Sequence, residues 1–168
     1  EKIEIPALNF MKYRILNDEE LSHLNEQLKQ FLIINGIYGD EWKRLNEEEP
    51  QKAFGLIELF SDHVLQIVYE KTTFLEKQTP DACFVFHCKP QTLELIAIQK
   101  KNSDDTAIDL SYTQGIHSAL TQSAGDLTFF RTEKPYSKER EQEIHLMFMD
   151  GCIKSSEVFW NQLGKVIS

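Results

Sequence analysis

The sequence predicts an α+β fold: N-terminal helices, a central antiparallel meander of three to four strands, and C-terminal helices. Three observations point there. Residues 50–71, PQKAFGLIELFSDHVLQIVYEK, form the longest strongly helical repeat in the chain. From Thr72 the period shortens to β-branched and aromatic runs separated by turn residues. After Ser137 helical spacing returns. Grouped strands between grouped helices, rather than regular alternation, are the pattern of α+β proteins.

At the N-terminus, Met11-Lys12-Tyr13-Arg14 reads as a start of translation, and residues 1–10 are expected to be either an extension or a short edge strand, for which Ile3 and Ile5 alternate. The first helix opens at Asn17, a good N-cap with Glu20 placed for a capping box. It carries Leu21, Leu24, Leu28, Phe31 and Leu32 and stops at Asn35-Gly36. A short helix from Asp40 holds Trp42 and Leu45 and runs into Glu47-Glu48-Glu49, an acidic linker. In the central helix Pro50 suits the first position. Ala53, Phe54, Leu56, Ile57, Phe60, Val64, Leu65, Ile67 and Val68 fill half the circumference, opposite a stripe of Glu58, Asp62, Gln66 and Glu70. An apolar arc this wide requires cover from more than one neighbour.

Strands are expected at 72–78, 82–88 and 92–100, with turns at Thr79-Pro80-Asp81 and Lys89-Pro90-Gln91. The third strand is apolar on both parities apart from Glu94, so it belongs in the sheet centre. KKNSDDT is a polar loop and AIDL a short strand. Ser111 and Gln114 open a helix through Ile116, Ala119 and Leu120 to Gly125, and LTFFRT, 127–132, is a further strand. Ser137 caps a helix with Ile144, Met147 and Phe148 that Gly151 either ends or lets pass close to a neighbour; Ser155 or Ser156 starts the last helix, with Phe159, Leu163, Val166 and Ile167.

The 168 residues are expected to form a single domain, 1–168, large enough to bury about 70% of the unfolded surface. No apolar run approaches the roughly 20 residues of a membrane span, and EKIEIPALNF lacks the apolar core of a signal peptide. Three scattered cysteines, Cys83, Cys88 and Cys152, fit reduced thiols in a cytoplasm. A net charge of −9 repels phosphate backbones, so no nucleic acid is expected; the short basic groups are Lys100-Lys101 and Lys134/Lys138/Arg140.

Seven dispersed glycines form neither a dinucleotide-binding fingerprint nor a phosphate-binding loop. There is no G-x-S-x-G, H-E-x-x-H or C-x-x-C, and no cofactor is expected. On a strand, Cys83 and His87 share a face about 13 Å apart while Cys88 points the other way, so the three do not converge on one metal. The acid/base constellation to test is Glu58 and Asp62 on the central helix with Glu141 and His145 on the later one, each pair one turn apart. Against it stands a solvated polar stripe. Trp42 and Trp160, on peripheral helices, are candidate interface anchors, set against closing the core edge.

Met11-Lys12-Tyr13-Arg14 with Asn17-Asp18-Glu19-Glu20-Leu21, Glu58-Leu59-Phe60-Ser61-Asp62, and the segment from Glu133 to Glu141 resemble a family of small uncharacterised bacterial proteins. The resemblance covers residue 11 to near the end and leaves residues 1–10 outside. It implies a bacterial, cytoplasmic protein of unknown function and carries over no site.

The reading favoured by the sequence is a non-catalytic acidic cytoplasmic protein that binds another protein. The alternative is a small metal-dependent hydrolase-type enzyme built on Glu58, Asp62, Glu141 and His145. The third is a small-ligand-binding regulatory domain with its pocket between helix 50–71 and the sheet.

Overall fold

The computed structural model describes residues 11–167. The expected edge strand at Ile3 and Ile5 lies outside them. The chain divides into two compact units, Glu1–Val68 and Tyr69–Ser168. The fold is α+β, with helices at both ends and the strands between.

In the first unit, Asn17 caps α1 (Asp18–His23) as expected. Its side chain accepts the Glu20 N–H at 2.8 Å, and the Glu20 carboxylate accepts the Asn17 N–H at 3.0 Å. The Arg14 guanidinium grips the same carboxylate through two bonds of 2.8 and 2.9 Å. The single helix expected here is two. Leu24, with φ −115°, ends α1 and starts α2 (Asn25–Ile34), and its N–H turns back to the Leu21 carbonyl. Neither glycine nor proline marks that break.

α2 ends at Asn35-Gly36 by a full Schellman motif. Gly36 takes φ +79°, its N–H bonds the Ile33 carbonyl at 2.9 Å, and the Ile37 N–H bonds the Leu32 carbonyl at 2.8 Å. The chain then enters α3 (Gly39–Glu48) and α4 (Pro50–Glu70). Leu32, Leu45, Ala53 and Leu56 form a small core, with Leu28, Ile37 and Trp42 packed on it.

On α4 the buried arc is narrower than its apolar pattern: Ala53, Leu56, Phe60 and Leu65 are buried, whereas Phe54 and Ile67 are exposed. The polar stripe is solvated only in part, with Glu70 exposed. Glu58 and Ser61 are buried. Asp62 accepts the backbone N–H groups of Lys12 at 2.5 Å and Tyr13 at 2.9 Å, and the Ser61 hydroxyl accepts that of Leu16 at 3.0 Å. On this face α4 supplies acceptors to backbone N–H groups of residues 12–16.

The second unit is built on a five-stranded antiparallel sheet of β1 (Phe74–Gln78), β2 (Ala82–Cys88), β3 (Thr92–Lys100), β4 (Leu127–Pro135) and β5 (Ile153–Lys154), in the order β4-β3-β2-β1-β5. β3 lies inside the sheet, between β4 and β2, and is buried on both faces, as its doubly apolar sequence requires. Cys83, Val85, Ile96 and Ile98 on one face pack with Ile116 and Ala119 of α5 (Thr113–Gln122) and, further along the chain, with Trp160 and Leu163. β5, two residues long, carries no sequence pattern and went unexpected.

Three local expectations are corrected. AIDL is not a strand; Ile108 and Leu110 fill the core from a loop, and the Leu110 N–H bonds the Pro80 carbonyl at 3.1 Å. Ser111 does not open α5, because its hydroxyl is held by Asp109 at 2.6 Å; the N-cap is Tyr112. Gly115 is required there, since a Cβ would meet the Asp109 carbonyl oxygen at 2.1 Å. Ser137 does not cap α6 (Arg140–Met149); it donates its hydroxyl and N–H to Glu143 at 2.7 and 2.6 Å, closing the loop before the helix. Gly151, at φ +97°, does end α6, by a second Schellman motif. Ser156 starts α7 (Glu157–Ile167) by accepting the Phe159 N–H at 3.1 Å.

Arg140, expected in a basic surface group, points inward. Its Nε donates to the Lys89 carbonyl (3.3 Å), Nη1 to Tyr69 (3.0 Å), and Nη2 to Cys88 (3.1 Å) and Thr72. The Tyr136 hydroxyl shares the Lys89 carbonyl at 2.7 Å.

The Glu20 cap gives a pH prediction. The hydrogen bond from Arg14 is the largest influence on Glu20 and holds its carboxyl at about 2, against an ordinary 4.5. A depressed carboxylate contributes stability fully above its unfolded value and loses it as pH falls towards the folded one. Glu20 is a third exposed, so the contribution is under about 1 kcal/mol. Urea melts of the protein and Glu20→Gln should therefore differ at pH 6 and converge as pH falls from about 4.5 to about 2. A difference independent of pH would contradict the assignment.

Candidate functional site

The Schellman turn decides what the first unit presents to solvent. By reversing the chain at Gly36 it sets α3 beside α2 and leaves a groove of about 500 Å³ between them. Leu28, Leu32, Ile37 and Trp42 form its apolar floor and wall, and Asn25, Glu26 and Lys29 supply its polar groups. The turn also strands apolar side chains outside. Ile34 is 82% exposed, Tyr38 65% and Ile33 42%, and Ile33 and Tyr38 line the groove itself. Single exposed apolar residues are ordinary; several contiguous ones beside an apolar groove mark an interaction surface.

The far side of α3 is polar. Arg44 bonds Glu41 at 2.6 and 3.1 Å and also pairs with Glu48 and Glu49, and Lys52 closes the group on Glu49. The acidic run 47–49 is therefore partly neutralised from within the unit. These pairs are solvated and fix the surface's charge pattern rather than its stability.

The second unit holds a separate charged cluster. Glu94, largely buried on β3, accepts from the Arg131 Nε at 2.7 Å and pairs with Lys89 at 3.1 Å. Burial opposes its ionisation, but the hydrogen bonds from Arg131 and Lys89 prevail and lower its pKa. Glu133, directly across from Glu94, takes the Thr92 hydroxyl at 2.7 Å and Lys89 at 3.1 Å. Two opposed carboxylates are thus held by two cations. Arg131 also lies over the Trp160 ring at 5.6 Å. His87 stacks on Phe74 at 4.5 Å and meets the Trp160 edge at 5.5 Å; burial, then the Lys89 charge, lowers its pKa.

The residues singled out by sequence fall in different settings. Trp42 lines the groove, half-buried. Trp160 is 6% exposed and belongs to the core of the second unit. Glu58 is buried on α4, and Asp62 receives the N-terminal segment. Glu141 lies 3.8 Å from the Arg140 guanidinium, and the His145 Nδ1 is 2.9 Å from the Tyr69 hydroxyl. Among the described residues no three His, Cys, Asp or Glu side chains are grouped to hold a metal ion. The strand register puts Cys83 and His87 on one face and Cys88 on the other, as expected. The groove was missed as a site. Its signal, Ile33-Ile34 running straight into Asn35-Gly36, reads as the end of a core face.

Comparison with known proteins adds one finding. The family of unknown function DUF6495 matches residues 11–168, essentially the chain beyond the ten N-terminal residues. No curated protein and no solved structure matches it. No described helix is long and apolar enough to cross a membrane.

All three cysteines are free and buried. Burial is the main cause that pushes the thiols of Cys83 and Cys88 up to about 12 and raises that of Cys152. The thiolate is the reactive form, so these are packing groups rather than nucleophiles. The native protein should resist an aromatic disulfide reagent at mildly alkaline pH and titrate as three thiols once unfolded. Fast reaction of one thiol in the folded protein would contradict this.

Proposed function

We propose that this chain, which belongs to the family of unknown function DUF6495, acts by binding another protein, with an amphipathic helix of that partner laid into the groove between α2 and α3. One observation carries the reading: a groove with a Trp42 wall is continuous with exposed Ile33, Ile34 and Tyr38. A helix-in-groove complex uses such a surface, with apolar anchors one turn apart entering the groove and flanking apolar contacts excluding water. A small ligand would fill the groove and leave Ile34 in water; a partner protein covers both. Glu26 and Lys29 supply the polar rim that fixes orientation. Three unpaired thiols support a reducing compartment, and we place the protein in the cytoplasm.

The test exploits how exposed these residues are. Ile34→Asp and Tyr38→Ser should change stability by no more than about 0.5 kcal/mol. A photo-crosslinking residue placed at position 34 in the native cell should capture one discrete protein, and Tyr38→Ser or Trp42→Ala in the same chain should abolish the capture. The same probe at Ile153, exposed on β5, is the control. No discrete product at position 34, or the same product at both positions, would overturn the proposal.

A further inference from the structure

The sheet has two edges, and they are treated differently. β5 is only two residues long, a short edge of the kind that discourages pairing. β4 is nine residues long and, among the described residues, has β3 as its sole sheet neighbour. The Lys101 N–H bonds the Asp126 carbonyl at 2.9 Å, in the same register as β3 and β4. Antiparallel alternation then turns the N–H and C=O groups of Thr128, Phe130, Thr132 and Lys134 towards β3 and those of Phe129, Arg131 and Glu133 outward. Among the described residues no hydrogen bond takes up these three outward N–H groups. Phe130, in the same strand, is 55% exposed.

We propose that a second copy of this chain pairs with β4 edge to edge, antiparallel, with Thr132 on the two-fold axis. The strand's charge pattern selects that occupant and register. With Thr132 on the axis, Arg131 of each copy stands opposite Glu133 of the other, and both belong to the outward-facing set that exchanges backbone hydrogen bonds. The charge complementarity is therefore made twice by symmetry, as an isologous interface requires. On the other sheet face Phe130 meets the Lys134 stem of the second copy, which covers the exposed ring. An axis at Phe130 would instead set Arg131 against Phe129 and Glu133 against Leu127, leaving both charges facing apolar groups. An edge pair of this length is a small interface, so the dimer is weak and concentration-dependent.

Sedimentation velocity from micromolar to millimolar protein tests the pairing, with circular dichroism to confirm folding. The protein should shift from monomer to dimer as concentration rises, less so at high salt. Glu133→Pro removes an outward N–H that β3 does not use, a position where an edge strand tolerates proline; it should stay folded and lose the dimer. Glu133→Arg and Arg131→Glu should each be monomeric alone and should pair when mixed, because the mixture restores opposite charges at both contacts. If Arg131→Glu does not fold, the exchanged chain R131E/E133R, which returns a guanidinium opposite Glu94, should dimerise by itself. A monomer at every concentration would overturn the proposal. So would a dimer that survives Glu133→Pro, or a loss in the single variants that neither the mixture nor the exchange reverses.

Discussion

The second unit depends on one part-buried cation that meets main-chain carbonyls. The Arg140 guanidinium meets four backbone carbonyls, those of Tyr69, Thr72, Cys88 and Lys89, and no carboxylate closer than 3.8 Å. Tyr69 lies in the last turn of α4 and Thr72 just past it, where the helix dipole presents negative charge. Cys88 and Lys89 end β2 and enter the turn to β3. One side chain from the first turn of α6 therefore fixes where α4 stops, where β1 begins and where β2 ends. The Cys88 N–H bonds the Thr73 carbonyl at 2.7 Å, which sets the β1–β2 register that the rest of the sheet inherits. Arginine suits the place because five donors in a planar fork match several fixed acceptors at once; an ammonium is a single point. The cost of burying the charge is offset only while all four carbonyls stay in position.

What the sequence made legible was whatever is encoded within a few residues. The Asn17 capping box, the two glycines that close α2 and α6, the alternation in β2 and the doubly buried β3 each depend on local backbone chemistry, and each is where its pattern put it. The failures share a cause too. Ser111 and Ser137 have the right residue type for an N-cap, but Asp109 and Glu143 compete for their hydroxyls. The bend at Leu24 has no breaker residue, and β5 is too short to carry a period. Arg140 looked like surface charge because its partners are main-chain carbonyls from two distant places, 69–72 and 88–89, which no side-chain pattern records.

The same division applies to function. Trp42 stood out in the sequence from its place on a short helix, and it lines a groove. The exposed neighbours beside the groove did not, since Ile33 and Ile34 continue a helical apolar repeat and only the turn at Gly36 leaves them outside. Trp160 shows the converse, a large aromatic near the chain end absorbed by the core beneath Arg131. The polar stripe on α4 was visible as a pattern, but its use, holding residues 12–16 by their backbone N–H groups, needed the tertiary placement of a segment far away in sequence.

The measurement that bears most directly on this account is amide hydrogen exchange at the end of β2. An amide at the end of a strand beside a turn ordinarily frays and exchanges through local opening. If Arg140 ties that end to α4 and α6, the Cys88 amide should exchange as slowly as that of Ile96 at the centre of β3, through the same cooperative opening. In Arg140→Lys the Cys88 amide should then separate from Ile96 and exchange many-fold faster. Rapid exchange of Cys88 in the unaltered protein while Ile96 stays protected, or no change in Arg140→Lys, would contradict the account.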